Sequence, residues 1–195
     1  MTLIQDTQSN GSPSIAGHLP AINKTHASEP PRLATANDVR ELVQYLKRRP
    51  EGVNIHDVPQ PIKKRIYYPT KTASYEYWGL ITVKRDRVTL TTLGWEFARS
   101  LEPEAKAYRE LINATSFYRA ALEWIKSERF DVVKQDELAN YWQKEFAWVF
   151  LNSSANDLTR SVVTFFHLCQ AAELGAMTIG KRGLPARMRF WPESL

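Results

Sequence analysis

Between residues 70 and 94 the spacing of apolar and polar positions changes period twice, from helical to alternating and back. From Lys71 to about Trp78, Ala73 and Tyr77 lie four apart and Leu80 completes an apolar side, the spacing of one helix face. Lys71, Thr72, Ser74 and Tyr75 are expected on the outward face of that helix. Tyr68-Pro69 keeps the preceding chain extended, Thr70 is placed to cap the helix, and Gly79 to end it. Ile81 and Val83 then alternate with Thr82 and Lys84. After Arg85-Asp86, Val88 and Leu90 alternate with Arg87, Thr89 and Thr91. Period two on both sides of a short polar turn predicts a hairpin with one buried face. Thr91 or Thr92 is placed to cap a further helix carrying Leu93, Phe97 and Leu101.

Upstream, Val39, Leu42, Val43 and Leu46 form an i, i+3, i+4, i+7 stripe, in a helix starting at Asn37 or Asp38 and ended by Pro50 and Gly52. Pro61 suits the first turn of a short second helix, with Ile62 and Ile66 inward and Lys63, Lys64 and Arg65 outward. Residues 1–34 are rich in Ser, Thr, Pro, Asn and Gln and have no period; they read as a disordered tail. In that tail Leu3-Ile4 is a candidate docking motif, weaker than the reading of a plain tail. Residues 35–101 therefore order as helix, helix, helix, hairpin, which is the arrangement of a winged helix.

Residues 102–127 predict two linker helices, the second of which also fits the start of a second domain. Ala107, Tyr108, Leu111 and Ile112 mark the first; Phe117, Ala121, Trp124 and Ile125 mark the second. Over 128–195 comes a helix with Leu138, Tyr141, Trp142 and Phe146, then the apolar run Ala147 to Leu151. A long helix from about Asp157 to Glu173 carries Leu158, Val162, Phe165, Phe166 and Cys169. Met177 and Ile179, then Met188 and Phe190, alternate as strands around a Gly180–Pro185 turn. W-G-L-I-T-V and E-L-G-A-M-T-I occupy parallel places, so the chain predicts a degenerate structural repeat. The expected fold is mainly α with small β-hairpins (α+β), as two tandem winged-helix domains joined by linker helices.

V-T-L-T-T-L-G, Val88 to Gly94, resembles the Y-x-L-T-x-x-G signature that closes the wing in PadR-like and MarR-like winged helix-turn-helix regulators. Val88 stands where those families carry tyrosine. The resemblance implies the fold, over about two dozen residues, and a nucleic-acid role in the manner of that superfamily. Ile179-Gly180-Lys181-Arg182-Gly183 is similar to the I-G-x-x-G loop of KH domains, but that loop joins two helices, and alternation after the glycines here favours a wing.

Composition narrows the function. The formal net charge is +5, with 43% hydrophobic and 11% aromatic residues, enough to build cores and to permit a polyanionic partner. Cys169 is the single cysteine, so no internal disulfide can form. No apolar run reaches membrane-spanning length and no secretory pattern is seen at the N-terminus, so the cytoplasm of a prokaryote, or its nucleoid, is the expected place. Enzyme signatures for phosphate cradles, zinc peptidases and nucleophile elbows are absent, and the four histidines are scattered. No catalytic residue, metal or cofactor is expected.

Candidate nucleic-acid contacts follow from position. Polar residues of the two third helices would touch bases: Lys71, Thr72, Ser74 and Tyr75 in the first, and Thr159, Arg160, Ser161 and Thr164 in the second. Lys84, Arg85 and Arg87 on one wing and Lys181, Arg182, Arg187 and Arg189 on the other would neutralise phosphates. The expected partner is duplex DNA, in transcription, replication or mobile-element control. The competing expectation is a protein–protein adaptor; the apolar segment Trp148 to Leu151 would serve as its contact if exposed, though a core position is the stronger reading, and homodimerisation through the linker helices is compatible with either.

Overall fold

The computed structural model describes residues 30–100, 104–181 and 183–195. Residues 1–29 of the tail expected over 1–34, with Leu3-Ile4, lie outside the described residues, as do Leu101 and Arg182. Among the described residues are eight α-helices and two three-stranded antiparallel sheets. The first half runs α1 (Ala36–Lys47), β1 (Val53–Asn54), α2 (Gln60–Ile66), α3 (Pro69–Tyr77), β2 (Ile81–Lys84), β3 (Arg87–Leu90) and α4 (Thr92–Arg99). After α5 (Glu104–Ala114) the same order returns: α6 (Ser116–Ser127), β4 (Val132–Lys134), α7 (Gln135–Glu145), α8 (Ala155–Ala171), β5 (Gly175–Thr178) and β6 (Arg187–Phe190). The sheets have equivalent strand orders, β1-β3-β2 and β4-β6-β5.

The two halves repeat hydrogen bonds as well as elements. Val83 N–H donates to Glu76 Oε1 at 3.1 Å, and Met177 N–H donates to Gln170 Oε1 at 3.1 Å. In both, a side chain of the helix before the hairpin holds the first strand seven residues on. Leu80 N–H reaches Tyr75 O, and Leu174 N–H reaches Cys169 O, each at 2.9 Å. Thr91 caps α4 as expected, its hydroxyl accepting from Gly94 N–H at 3.0 Å. Gly94 itself is required, because an added Cβ would stand 2.1 Å from Leu80 O.

Strands β1 and β4 are not expected from the sequence. Two or three residues are too short for period two to register. Gly52, at φ +78°, lets the chain swing into β1, and Val53 pairs with Val88.

One apolar core spans both halves. Phe117 at the start of α6 packs edge-on against Tyr77 of α3, 6.2 Å away, and against Trp142 of α7 at 5.1 Å. Tyr118 meets Phe165 of α8 at 5.0 Å. Trp142 is fully buried and its indole N–H donates to Phe117 O at 3.1 Å, which satisfies the polar end of the ring. Helix α8 lies between α7 on one side and α5 with α1 on the other. Arg109 of α5 donates to Ala172 O at 2.9 Å, fixing that packing at the end of α8.

Residues 30–34, expected as part of the tail, are instead packed: Pro30, Pro31 and Ala34 are buried. Arg32 N–H donates to Ser74 Oγ at 2.9 Å, and Arg32 Nη1 lies 2.8 Å from Asp157 Oδ1. One residue thus ties α3 to the N-terminus of α8. Composition misleads here because two prolines lose little further entropy on ordering.

Asp157 completes the capping box of α8, accepting from the Ser154 hydroxyl at 2.7 Å. That hydrogen bond is the main cause holding its carboxyl below the usual carboxylate range; slight burial opposes it, and Arg32 and Arg160 add to it. Because folding lowers this pKa, the stabilisation is complete above the ordinary carboxylate range and is lost as pH falls through the folded-state value. D157N is expected to cost about 1 kcal/mol at neutral pH. Urea unfolding should show the gap between the two proteins closing at acidic pH.

Candidate nucleic-acid interface

The third helix of each half does not present the face that the sequence suggests. Helix α3 starts at Pro69, with extended Tyr68 at its N-cap and no side-chain cap, so Thr70 is not the capping residue. Thr72, Ser74 and Tyr75 are buried, at 8%, 1% and 0% exposure. The Thr72 hydroxyl back-bonds to Tyr68 O, and the Ser74 proton can reach Arg32 O or Thr70 O, each at 3.0 Å. Hydroxyls satisfied in this way can sit on a core-facing side, which simple polarity does not foresee. Burial pushes the Tyr75 phenol well above its ordinary range, with Asp38 adding to the effect. Lys71 is spent internally: its Nζ reaches Asp38 Oδ1 at 2.7 Å and Arg65 O at 2.9 Å. The outward residues of α3 are instead Pro69 and Glu76, flanked by half-exposed Thr70 and Ala73.

Helix α8 is corrected in the same sense. Ser161 and Thr164 are each 1% exposed, and Thr159 bonds Ala155 O. The outward side of α8 carries exposed Ala155, Asn156, Arg160 and Gln170, with Val163 and His167 half-buried in the strip between them. Arg160 is exposed, 3.9 Å from Asp157 Oδ1. Burial lowers the His167 pKa, partly opposed by Asp38, so the imidazole adds no charge to this strip near neutral pH. Cys169 is fully buried and burial raises its thiol pKa, as suits a packing residue rather than a nucleophile.

The hairpin cations stand in solvent. Lys84, Arg85, Arg87, Lys181, Arg187 and Arg189 are all exposed. Arg87 Nη1 is steadied by Glu51 O at 2.9 Å, and Asp86 is met by His56 at 3.3 Å. Lys84, Arg85, Lys181, Arg187 and Arg189 form no ion pair among the described residues. The third-helix residues expected to act beside them do not join them: most are packed inside, and Lys71 is held by Asp38.

Beside each third helix runs a groove in the same place of the repeat. The first, about 440 Å³, is lined by Lys63, Lys64, Tyr67, Tyr68, Ala73 and Val83 among others. The second, about 400 Å³, is lined by Gln135, Val163, His167, Met177, Lys181 and Leu184 among others. Gln135 braces the second hairpin, accepting from Ala186 N–H at 3.1 Å while donating to Thr159 O. Lys63 and Lys64 are not among the contacts expected from sequence. Their signal is the K-K-R run after Pro61, which places two cations without ion-pair partners among the described residues on the rim of the first groove.

Among the described residues no group of three His, Cys, Asp or Glu side chains could hold a metal ion, and no helix is long and apolar enough to cross a membrane. No family model, no curated protein and no solved structure matches the chain.

Arg85 and Asp86 both hold positive φ, 48° and 64°, at the two central positions of the first hairpin turn. Such turns favour Asn-Gly, and a side chain there costs on the order of 1 kcal/mol. R85N/D86G is therefore expected to raise the unfolding free energy by about 1 kcal/mol. The loss of the exposed Asp86–His56 pair subtracts little. Chemical denaturation of the two proteins measures the difference.

Proposed function

We propose that the chain is a non-enzymatic nucleic-acid-binding protein of two fused winged-helix units, which holds duplex DNA mainly by its phosphates. The repeated order of helix, strand, helix, helix and hairpin, each with a three-stranded sheet, supports the winged-helix reading. The V-T-L-T-T-L-G resemblance points the same way. The observation that carries the functional reading is a set of cations on α2 and the first hairpin that have no acid paired to them among the described residues. Lys63 and Lys64 rim the first groove from α2, and Lys84 and Arg85 stand exposed on the hairpin beyond Val83, outside the groove's lining. In the second unit Lys181 lines the equivalent groove, and Arg187 and Arg189 stand exposed on the outer face of its sheet.

Base reading is expected to be weak. The outward part of α3 offers Pro69, Ala73, Glu76 and the half-exposed hydroxyl of Thr70, and one oxygen of the Glu76 carboxylate is already engaged by Val83 N–H. Few free donors or acceptors remain to distinguish base edges. Phosphate contacts then supply the affinity, without sequence information of their own. The protein would act in transcription, replication or mobile-element control as a backbone-binding component.

An adaptor role is the second reading, favoured by large exposed apolar side chains. Trp148 and Leu151, in the α7–α8 connection, are 64% and 77% exposed. Surfaces of this kind suit a protein partner. Fluorescence polarisation with a short labelled duplex separates the two. The variant K63Q/K64Q/K84Q/R85Q is expected to weaken binding about tenfold or more at low salt, and to reduce the salt slope by about one for each phosphate left without its cation. An unchanged affinity, or no duplex binding by the folded wild-type chain, would turn the reading to the adaptor.

A further inference from the structure

The outer face of the second sheet has features that the first sheet lacks. Strand β6 is the centre strand, and Met188 and Phe190 point into the core at 0% and 2% exposure. Arg187, Arg189 and Trp191 therefore follow one another along the opposite face. Arg187 lies between Thr178 and Lys134, and Arg189 between Ala176 and Val132. The small Ala176 and Thr178 leave an open trough, about 360 Å³, lined by Val132, Ala176, Thr178, both arginines and Trp191. Lys134 is paired with Glu137 at 3.3 Å, but neither arginine has an ion-pair partner among the described residues. The Trp191 ring is 38% exposed and touches no other aromatic ring or guanidinium among the described residues. In the first sheet Arg87 matches Arg187, but Thr89 and Thr91 stand where Arg189 and Trp191 do.

We propose that this face is a platform for single-stranded nucleic acid, with a base stacked on Trp191 and neighbouring phosphates held by Arg187 and Arg189. Two positions apart on a strand places the arginines about 7 Å from each other, a step that successive phosphates of an extended strand can follow. The cations alone would accept any polyanion. Trp191 selects for unpaired bases, because a ring can stack on a base only when that base is free of its duplex neighbours. This site rests on the nucleic-acid reading above for its polyanion, but not on the first groove.

The test uses the full chain and a labelled oligothymidylate, beside a labelled duplex. W191A is expected to weaken oligothymidylate binding about tenfold, with W191F keeping most of the affinity and duplex binding unchanged. R187Q/R189Q is expected to lower oligothymidylate affinity and its salt slope. The α2 and first-hairpin variant K63Q/K64Q/K84Q/R85Q should leave oligothymidylate binding in place, so failure of duplex binding and failure of the platform are read separately. Circular dichroism and the unfolding midpoint confirm that each variant is folded. Absent oligothymidylate binding, oligothymidylate binding indifferent to W191A, or equal losses for oligothymidylate and duplex on W191A would each overturn the proposal.

Discussion

Helix α8 is apolar over too much of its circumference to be exposed. Leu158, Val162, Phe165, Phe166, Leu168 and Cys169 are all buried, and Ser161 and Thr164 are buried with them. A surface helix hides one stripe; a helix that is apolar on most sides must be covered on most sides. Helix α7 covers one flank, and α5 with α1 covers the other. The connection between the halves is therefore a packed layer, not a tether. Phe117, Tyr77 and Tyr108 then join both halves in one core, with the Tyr108 hydroxyl donating to Ala36 O at 2.8 Å. Arg32 closes the arrangement by bonding α3 through its backbone and α8 through its side chain.

This constraint redistributes function. Side chains that are buried to hold two units together cannot also read a ligand. What is left for recognition are the parts that the core does not need: the hairpin turns, the outer faces of the two sheets, and the rim of α2. Those parts carry Lys63, Lys64, Lys84, Arg85, Lys181, Arg187 and Arg189, cations that have no acid paired to them among the described residues. The fold thus leaves a cationic surface and third helices whose polar side chains are mostly buried. The two units share a topology but differ in surface, since the second sheet presents Arg189 and Trp191 where the first presents Thr89 and Thr91.

Much of the topology can be read in the sequence, because helix ends and hairpins depend on local chemistry. Pro61 at the start of α2, Thr91 capping α4, and the alternation from Ile81 to Leu90 each follow from near neighbours. What escapes depends on distant partners. Ser74 looks outward because it is polar, yet its hydroxyl bonds the backbone of Arg32, 42 residues away. Pro30 to Ala34 look like a tail, yet they are held by α3 and α8. Strands β1 and β4 are too short to show a period and exist because β3 and β6 offer them an edge. The hairpin cations are exposed as their spacing indicates, since a strand's outer face follows directly from period two.

The central claim is that phosphates, not base edges, hold the ligand. The most direct measurement is the affinity of the wild-type chain for two duplexes of equal length and unrelated sequence, over a series of salt concentrations. Closely similar affinities are expected, with a linear fall of log affinity with log salt for both. A duplex preferred by about a hundredfold or more, with little salt dependence, would mean that base edges are read, and would contradict that claim.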